Sequence, residues 1–134
     1  MEVYSSKYLH IIYFAEQFLI EVTWLSTSKM MDTQDCKQEL LNFIDVVSEL
    51  RPKRIVLDLR TMFFTFSAHL QNWMDQTTTP SLLASGLHWH AFVVGEDLFV
   101  TLSTKQVMAE QNSVITTQYF DSKEAAKKWV LSVG

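Results

Sequence analysis

Two segments near the start of the chain carry the alternating pattern of strands. Residues 8–14 and 18–25 are rich in β-branched and aromatic side chains, and a short break at 15–17 separates them. They predict an antiparallel hairpin. The alternate positions of the second strand carry Phe18, Ile20, Val22 and Trp24. We expect that face of the strand to point into the core.

A helical period follows the hairpin. Asp32 offers an N-cap, apolar side chains recur at helical spacing to about residue 50, and Pro52 blocks continuation. The apolar stripe consists of Cys36, Leu40, Phe43, Ile44, Val47 and Leu50. Residues 54–60 then form an apolar run without alternation, which predicts a central parallel strand covered on both faces.

The second half of the chain continues to alternate between helix and strand. Ser67 can cap a helix over residues 68–76, and Pro80 can open a further short turn that Gly86 ends. Residues 87–94 again have the composition of a strand. This alternation is typical of an α/β fold.

Residues 97–111 fit two patterns. The apolar stretch 98–102 could extend as a strand, whereas 103–106 is a capping box that would start a helix. We favour a helix for most of this segment. Residues 114–120 predict the last strand, and the capping box at 121–124 opens a terminal helix.

The predicted order of elements is ββαβαβαβα. It corresponds to one α/β domain over residues 1–134, with a mixed five-stranded sheet, an N-terminal β-hairpin and about four covering helices. A net charge of -4, from 15 acidic and 11 basic residues, argues against a binder of nucleic acid or of acidic membranes. The single cysteine favours a reducing compartment, so we expect a cytoplasmic protein. We expect neither a signal peptide nor a membrane span, since no apolar run approaches the required length of about 20 residues.

Two stretches of the sequence resemble a known group of proteins. They are residues 55–73, IVLDLRTMFFTFSAHLQNW, and the ending QYFDSKEAAKKWV. With the order of elements, they resemble the SpoIIAA-like fold of STAS domains and of the bacterial group called STAS/SEC14 domain-containing proteins. In the anti-sigma-factor antagonists of this superfamily, a strand ending in Asp-Leu precedes a loop and then Asp-Ser-Ser-Gly, where a serine is phosphorylated. Asp58-Leu59 matches the strand end here, and residues 66–69 fall at the motif with Ser67 as their only serine. The resemblance implies a non-catalytic regulatory or ligand-binding module, with lipids among the ligand classes.

The connection after the central strand is the predicted ligand site. Open α/β folds bind ligands at the C-terminal edge of the sheet, and free N–H groups at a helix start favour negative charge. The candidate ligand-binding residues are Asp58, Arg60, Phe63, Phe64, Phe66, Gln71 and Trp73.

Each candidate also has a structural interpretation. We expect Asp58 and Arg60 to form a wet surface ion pair, with a ligand anchor as the alternative. The apolar loop around Phe64 either packs on the core, which we favour, or lines a pocket. Ser67 is a simple helix cap or a phosphorylation site, and the cap is the favoured interpretation.

Catalytic and metal chemistry are poorly supported. His88 and His90 share one face of a strand, but no neighbouring cluster of Cys, Asp or Glu completes a metal site. The three glycines are too scattered for a phosphate-binding loop, and Cys36 lies on an apolar stripe, as expected for an inert thiol. We therefore predict no enzyme, no metal and no cofactor.

Two functions stay open. The first is a module that binds a small apolar or lipid-like molecule near residues 60–67. The alternative is a protein-interaction module of the anti-sigma-factor-antagonist type, with a regulatory protein partner and a phosphoswitch at Ser67. An interaction role needs an exposed apolar patch, whereas a binding role needs a closed pocket. The aromatic-rich first strands also predict a homodimer.

Overall fold

The computed structural model of the chain describes residues 1–96, 98 and 114–134. The strands in that part of the chain are β1 (Glu2–Ser5), β2 (Leu9–Phe14), β3 (Leu19–Trp24), β4 (Arg54–Asp58), β5 (Trp89–Val93) and β6 (Thr116–Phe120). The α-helices are α1 (Thr33–Leu50), α2 (Ala68–Ala84) and α3 (Lys123–Ser132). Short 3-10 helices lie at Ala15–Gln17 and Ser26–Met30.

The six strands form one mixed sheet in chain order. β1, β2 and β3 pair antiparallel, and β3, β4, β5 and β6 pair in parallel. The predicted α/β class, the hairpin and the mixed sheet are therefore confirmed. The predicted helix from residue 103 to 111 lies outside the described residues, as does the alternative strand over 98–102 except for residue 98. None of the described helices combines the length and the apolar character needed to cross a bilayer.

The prediction of five strands is wrong, because β1 adds a sixth at the edge of the sheet. The amide N–H of Tyr13 donates to the carbonyl of Met1 at 2.8 Å, and the Tyr4 hydroxyl donates to the carboxylate of Glu39 on α1 at 2.9 Å. These contacts join residues far apart in the chain. A four-residue segment has too little alternation to reveal such pairing in the sequence.

Strand β4 is covered on both faces, as predicted. Ile55 and Val56 are adjacent in the chain and both fully buried. Ile55 packs in the cluster beneath α1 and α2, whereas Val56 packs in a separate cluster beneath α3. We call these two sides of the sheet the α1/α2 face and the α3 face.

The first helix begins and ends as predicted. Asp32 accepts a hydrogen bond from the amide of Asp35 at 2.7 Å, and the carboxylate of Asp35 accepts one from the amide of Asp32 at 3.1 Å. The helix ends at Arg51, whose φ of 47° is left-handed, and Pro52 follows. The buried members of the predicted stripe are Cys36, Leu40, Phe43 and Val47, and the partly buried ones are Ile44 and Leu50.

Serines cap the other two helices. The hydroxyl oxygen of Ser67 accepts a hydrogen bond from the amide of Leu70 at 3.1 Å, which confirms the predicted cap of α2. At α3 the cap is Ser122, which accepts from the amide of Ala125 at 3.1 Å. The predicted cap at Asp121 is therefore wrong by one residue, because the serine hydroxyl reaches the free amide of the first turn.

Two further local predictions are wrong. Phe18 does not face the core; it is left-handed, with a φ of 50°, and 47% exposed, because it closes the turn between β2 and β3. Pro80 does not separate two helical pieces but lies inside the continuous helix α2. Pro80 is exposed, and the helix continues through it without the backbone hydrogen bond that an N–H at this position would donate.

The guanidinium of Arg54 joins the start of β4 to two other segments. It donates to the carbonyls of Val130 at 2.9 Å and Val133 at 2.9 Å, at the end of α3, and to the carbonyl of Gln17 at 2.8 Å. It also lies 5.1 Å from the ring centroid of Trp89. A planar group with several fixed donors is required to serve three carbonyls at once.

We expect Arg54→Lys to lower the free energy of unfolding by about 2 kcal/mol, because an ammonium on a flexible stem cannot satisfy the same three carbonyls. Urea unfolding followed by circular dichroism measures the change. Arg51→Lys is the matched control, since Arg51 is exposed and the structure describes no hydrogen bond of its side chain. Equal stability of the two variants would contradict this role for Arg54.

Candidate ligand-binding cavity

Asp58 and Arg60 form the ion pair expected from the sequence, at the end of β4. Arg60 Nε donates to Asp58 Oδ1 at 3.1 Å and Nη2 donates to Oδ2 at 2.8 Å. Asp58 is only 4% exposed, so the prediction of a wet pair is wrong for the carboxylate. Burial raises the pKa of Asp58, but the hydrogen bonds and the charge of Arg60, with the charge of Lys123, hold it below its usual value.

A second buried carboxylate joins this ion pair on the α3 face. Lys123 Nζ lies 3.7 Å from Asp58 Oδ2 and 3.8 Å from Glu21 Oε1, and Lys127 Nζ lies 2.9 Å from Glu21 Oε2. Lysines on one helix therefore neutralise buried acids on two neighbouring strands. The arrangement gives Asp58 a structural role that links α3 to the sheet.

The aromatic loop after β4 divides between core and surface. Met62, Phe64 and Phe66 are partly buried against the α1/α2 cluster, and the rings of Phe64 and Phe66 meet edge to face at 5.6 Å. Phe63 is 57% exposed. Most of this loop therefore packs on the core, which is the arrangement that the sequence favoured.

The remaining candidates lie on or next to α2. Gln71 and Ser67 are exposed, and Trp73 is half-buried against the core with Lys37 Nζ 5.5 Å from its ring centroid. Of the seven candidate ligand residues, Asp58 contacts Arg60 and Phe64 contacts Phe66. None of them lines the cavity described next.

An apolar cavity of about 310 Å³ lies between α2 and the sheet. Only Leu70 and Thr78 of the 17 residues of α2 are buried, so the helix carries too few large apolar side chains to fill the space beneath it. The helical wall of the cavity consists of Leu40 and Phe43 from α1 and of Met74, Thr78, Thr79, Leu82 and Leu83 from α2. Leu83 is 48% exposed and marks a rim that is open to solvent. We call this space the α2 cavity.

The sheet supplies the other wall of the α2 cavity. Its lining residues there are Leu57, His90, Phe92, Ile115 and Thr117. His90 is 7% exposed and stacks on Phe92 with ring centroids 4.2 Å apart. The Nε2 atom of His90 is buried and has no hydrogen-bond partner among the described residues.

Burial lowers the pKa of His90 from its ordinary value of 6.5 to about 4. The imidazole is therefore neutral at physiological pH, and a neutral ring both donates and accepts one hydrogen bond. His90 is the one ionisable side chain in the wall of the α2 cavity as the described residues form it. The cavity thus combines mostly apolar walls with a few uncharged polar residues, His90 and three threonines, which is the composition of a small-molecule site.

Sequence reasoning missed this cavity. It singled out His90 only as a partner of His88, but His88 is exposed and lies before β5, in the lining of a different depression that includes Lys53 and Trp89. Among the described residues no group of three His, Cys, Asp or Glu is placed to hold a metal ion. The sequence signal that could have indicated this site is a histidine between apolar residues, in a strand that must be buried on both faces.

The thiol of Cys36 is fully buried on α1. Burial raises its pKa to about 12, so the nucleophilic thiolate does not form at neutral pH. The position of this side chain agrees with the interpretation of Cys36 as a core thiol.

Comparisons with known proteins leave the family open. A scan against protein-family models found no matching family, and searches of curated proteins and of solved structures found no significant match. The resemblance to SpoIIAA-like proteins therefore stays a prediction, and the function is inferred from the geometry of the molecule.

The stability of the protein should depend on pH through His90. Between pH 6.5 and about 4 the unfolded chain binds a proton at His90 that the folded chain does not, so folding becomes less favourable as the pH falls. The expected loss is up to about 3 kcal/mol from this group. Urea unfolding at a series of pH values should show a shallower fall in His90→Leu than in the wild type.

His88→Gln is the matched control for that experiment, because it removes an exposed histidine two residues away. It should keep the pH dependence of the wild type. A His90→Leu variant with the wild-type slope would show that His90 is not the group responsible.

Proposed function

We propose that this protein is a non-catalytic STAS-like module with a SpoIIAA-like fold that binds a small, mostly apolar molecule in the α2 cavity. The observation that carries the proposal is the unfilled apolar space under α2, which holds one buried and unpaired polar group, His90. Empty apolar space costs stability because the atoms around it lose packing contacts. A ligand that restores those contacts recovers the lost free energy when it binds.

The location differs from the one expected on sequence grounds. Residues 60–67 have most of their apolar side chains packed on the core, which leaves them less able to enclose a ligand. The α2 cavity is one helix away, on the α1/α2 face. A ligand at residues 60–67 and a ligand in the α2 cavity are both compatible with a regulatory module, in which ligand binding changes how α2 packs against the sheet.

The size of the cavity limits the ligand. A volume of about 310 Å³ corresponds to about ten non-hydrogen atoms, if each takes the roughly 30 Å³ of a molecule in liquid water. Ligands of that size reach dissociation constants on the order of 100 µM when the contacts are mainly apolar. A longer apolar chain could extend past the open rim at Leu83.

We expect para-propyltoluene, an uncharged molecule with ten non-hydrogen atoms, to bind with a dissociation constant of about 100 µM. A two-dimensional amide NMR titration measures both the affinity and the location of the shifts. The shifts should centre on the described residues around the cavity, such as Thr78, Leu82 and His90, because apolar contacts form there. Thr78→Trp places a large ring in the space and should abolish binding.

Gln76→Trp is the matched control, because it adds the same ring to an exposed position of the same helix. Leu83→Trp provides a second block at the rim in case Thr78→Trp folds poorly. Saturable binding that both blocking variants retain would place the ligand elsewhere, and the absence of binding to the wild type would contradict the proposed function.

The alternative is a protein-interaction module that is switched at Ser67. Ser67 is exposed and caps α2, and Phe63 in the preceding loop is exposed as well. A phosphate on Ser67 would lie at the positive end of the helix, where negative charge is stabilised. The exposed rings of Phe18 and Phe63 are candidate contacts for a partner protein or for the predicted homodimer.

Mass spectrometry of the protein from its own host tests that alternative. It should detect a phosphate that maps to the peptide containing Ser67 and that is absent from Ser67→Ala. Ser6→Ala is the control for nonspecific loss of a serine. An unmodified Ser67 under all growth conditions would contradict the phosphoswitch.

A further inference from the structure

The chemistry of the α2 cavity also restricts the polar part of its ligand, an inference that depends on the proposed function. Every described lining residue other than His90 is apolar or a threonine. A carboxylate or phosphate would enter without a cationic partner, and an ammonium would enter without an anionic one. Burial of an unpaired charge is strongly unfavourable. The walls therefore favour an uncharged ligand.

His90 adds a requirement for one hydrogen bond. It pairs with Ile55 of β4 and with Thr117 of β6, its side chain lines the cavity, and its Nε2 atom has no partner among the described residues. A buried polar atom without a partner costs free energy that a suitable ligand group recovers.

The charge state of the imidazole points to the same class of group. The ionisable side chains of the neighbouring strands, Arg54 and Asp58 on β4 and Tyr119 on β6, do not line the cavity. Burial alone lowers the pKa of His90 to about 4. A neutral imidazole donates from one nitrogen and accepts at the other. A hydroxyl can match either nitrogen, because it is both a donor and an acceptor.

We propose that the α2 cavity selects an uncharged ligand with an apolar body of about ten non-hydrogen atoms and one hydroxyl, which hydrogen-bonds to a ring nitrogen of His90. Small phenols and medium-chain alcohols have this chemistry. Free fatty acids, in their ionised form, do not.

A matched pair of probes tests the selection. Para-propylphenol and para-propyltoluene have the same shape and the same number of non-hydrogen atoms, and differ by a hydroxyl in place of a methyl group. The phenol should bind the wild type about tenfold more tightly, as expected for one hydrogen bond to a buried and otherwise unpaired atom. Para-propylbenzoate, which is ionised at neutral pH, should bind at least tenfold more weakly than the phenol.

The His90→Phe variant separates the hydrogen bond from packing. It keeps an aromatic ring beside Phe92 and should retain binding of para-propyltoluene while losing the preference for the phenol. In the wild type, the ¹⁵N chemical shift of a His90 ring nitrogen should change with the phenol and stay constant with the toluene. His88→Phe is the control and should keep the preference.

The outcomes distinguish the two proposals. If para-propyltoluene binds in the cavity and the phenol binds no more tightly, the selection of a hydroxyl is wrong while the proposed function stands. A phenol preference that survives in His90→Phe also overturns the role of His90. If none of the three probes binds the wild type, the proposed function fails and the selection fails with it. Tightest binding by the benzoate overturns the inference that the ligand is uncharged.

Discussion

The burial of β4 on both of its faces is the constraint on which the rest of the structure depends. Ile55 and Val56 point in opposite directions and are both removed from water, so helices must cover each side of the sheet. The end of the same strand brings Asp58 into a buried position. A buried carboxylate must be neutralised, and Arg60 and Lys123 provide the charges. The position of α3 is thus fixed by apolar packing in the middle of β4 and by ion pairs at its end.

The two faces of the sheet are covered in different ways. On the α3 face, small and medium side chains such as Ala91, Ala126 and Val130 are fully buried against one another. On the α1/α2 face, α1 carries a full apolar stripe, but α2 buries only Leu70 and Thr78. Leu70 anchors the first turn of α2, and the later turns contribute threonines and half-buried side chains. The α2 cavity follows from that composition, because the second half of the helix lacks the volume to fill the space.

Much of the fold could be predicted from the sequence, because periodicity and caps are local signals. The capping residue Asp32 and the uninterrupted apolar run of β4 gave the correct helix and the correct parallel strand. The strand β1 could not be predicted, since its stability comes from pairing with β2 and from the contact of Tyr4 with α1. The interior position of Pro80 could not be predicted either, because a proline usually ends a helix and no local pattern marks this exception. The cavity depends on volumes contributed by five elements, two helices and three strands, which no local pattern contains.

The identity of residue 90 supports a ligand at the α2 cavity. At the next inward position of the same strand the chain has Phe92, which shows that this wall accommodates an aromatic hydrocarbon ring. A phenylalanine at residue 90 would pack in the same way without a desolvated nitrogen, and would remove a cost of about 1–3 kcal/mol. Histidine at this position therefore lowers the stability of the free protein. A bound hydroxyl would return that free energy at the moment of binding, so the same side chain that weakens the empty fold would give the ligand its specificity.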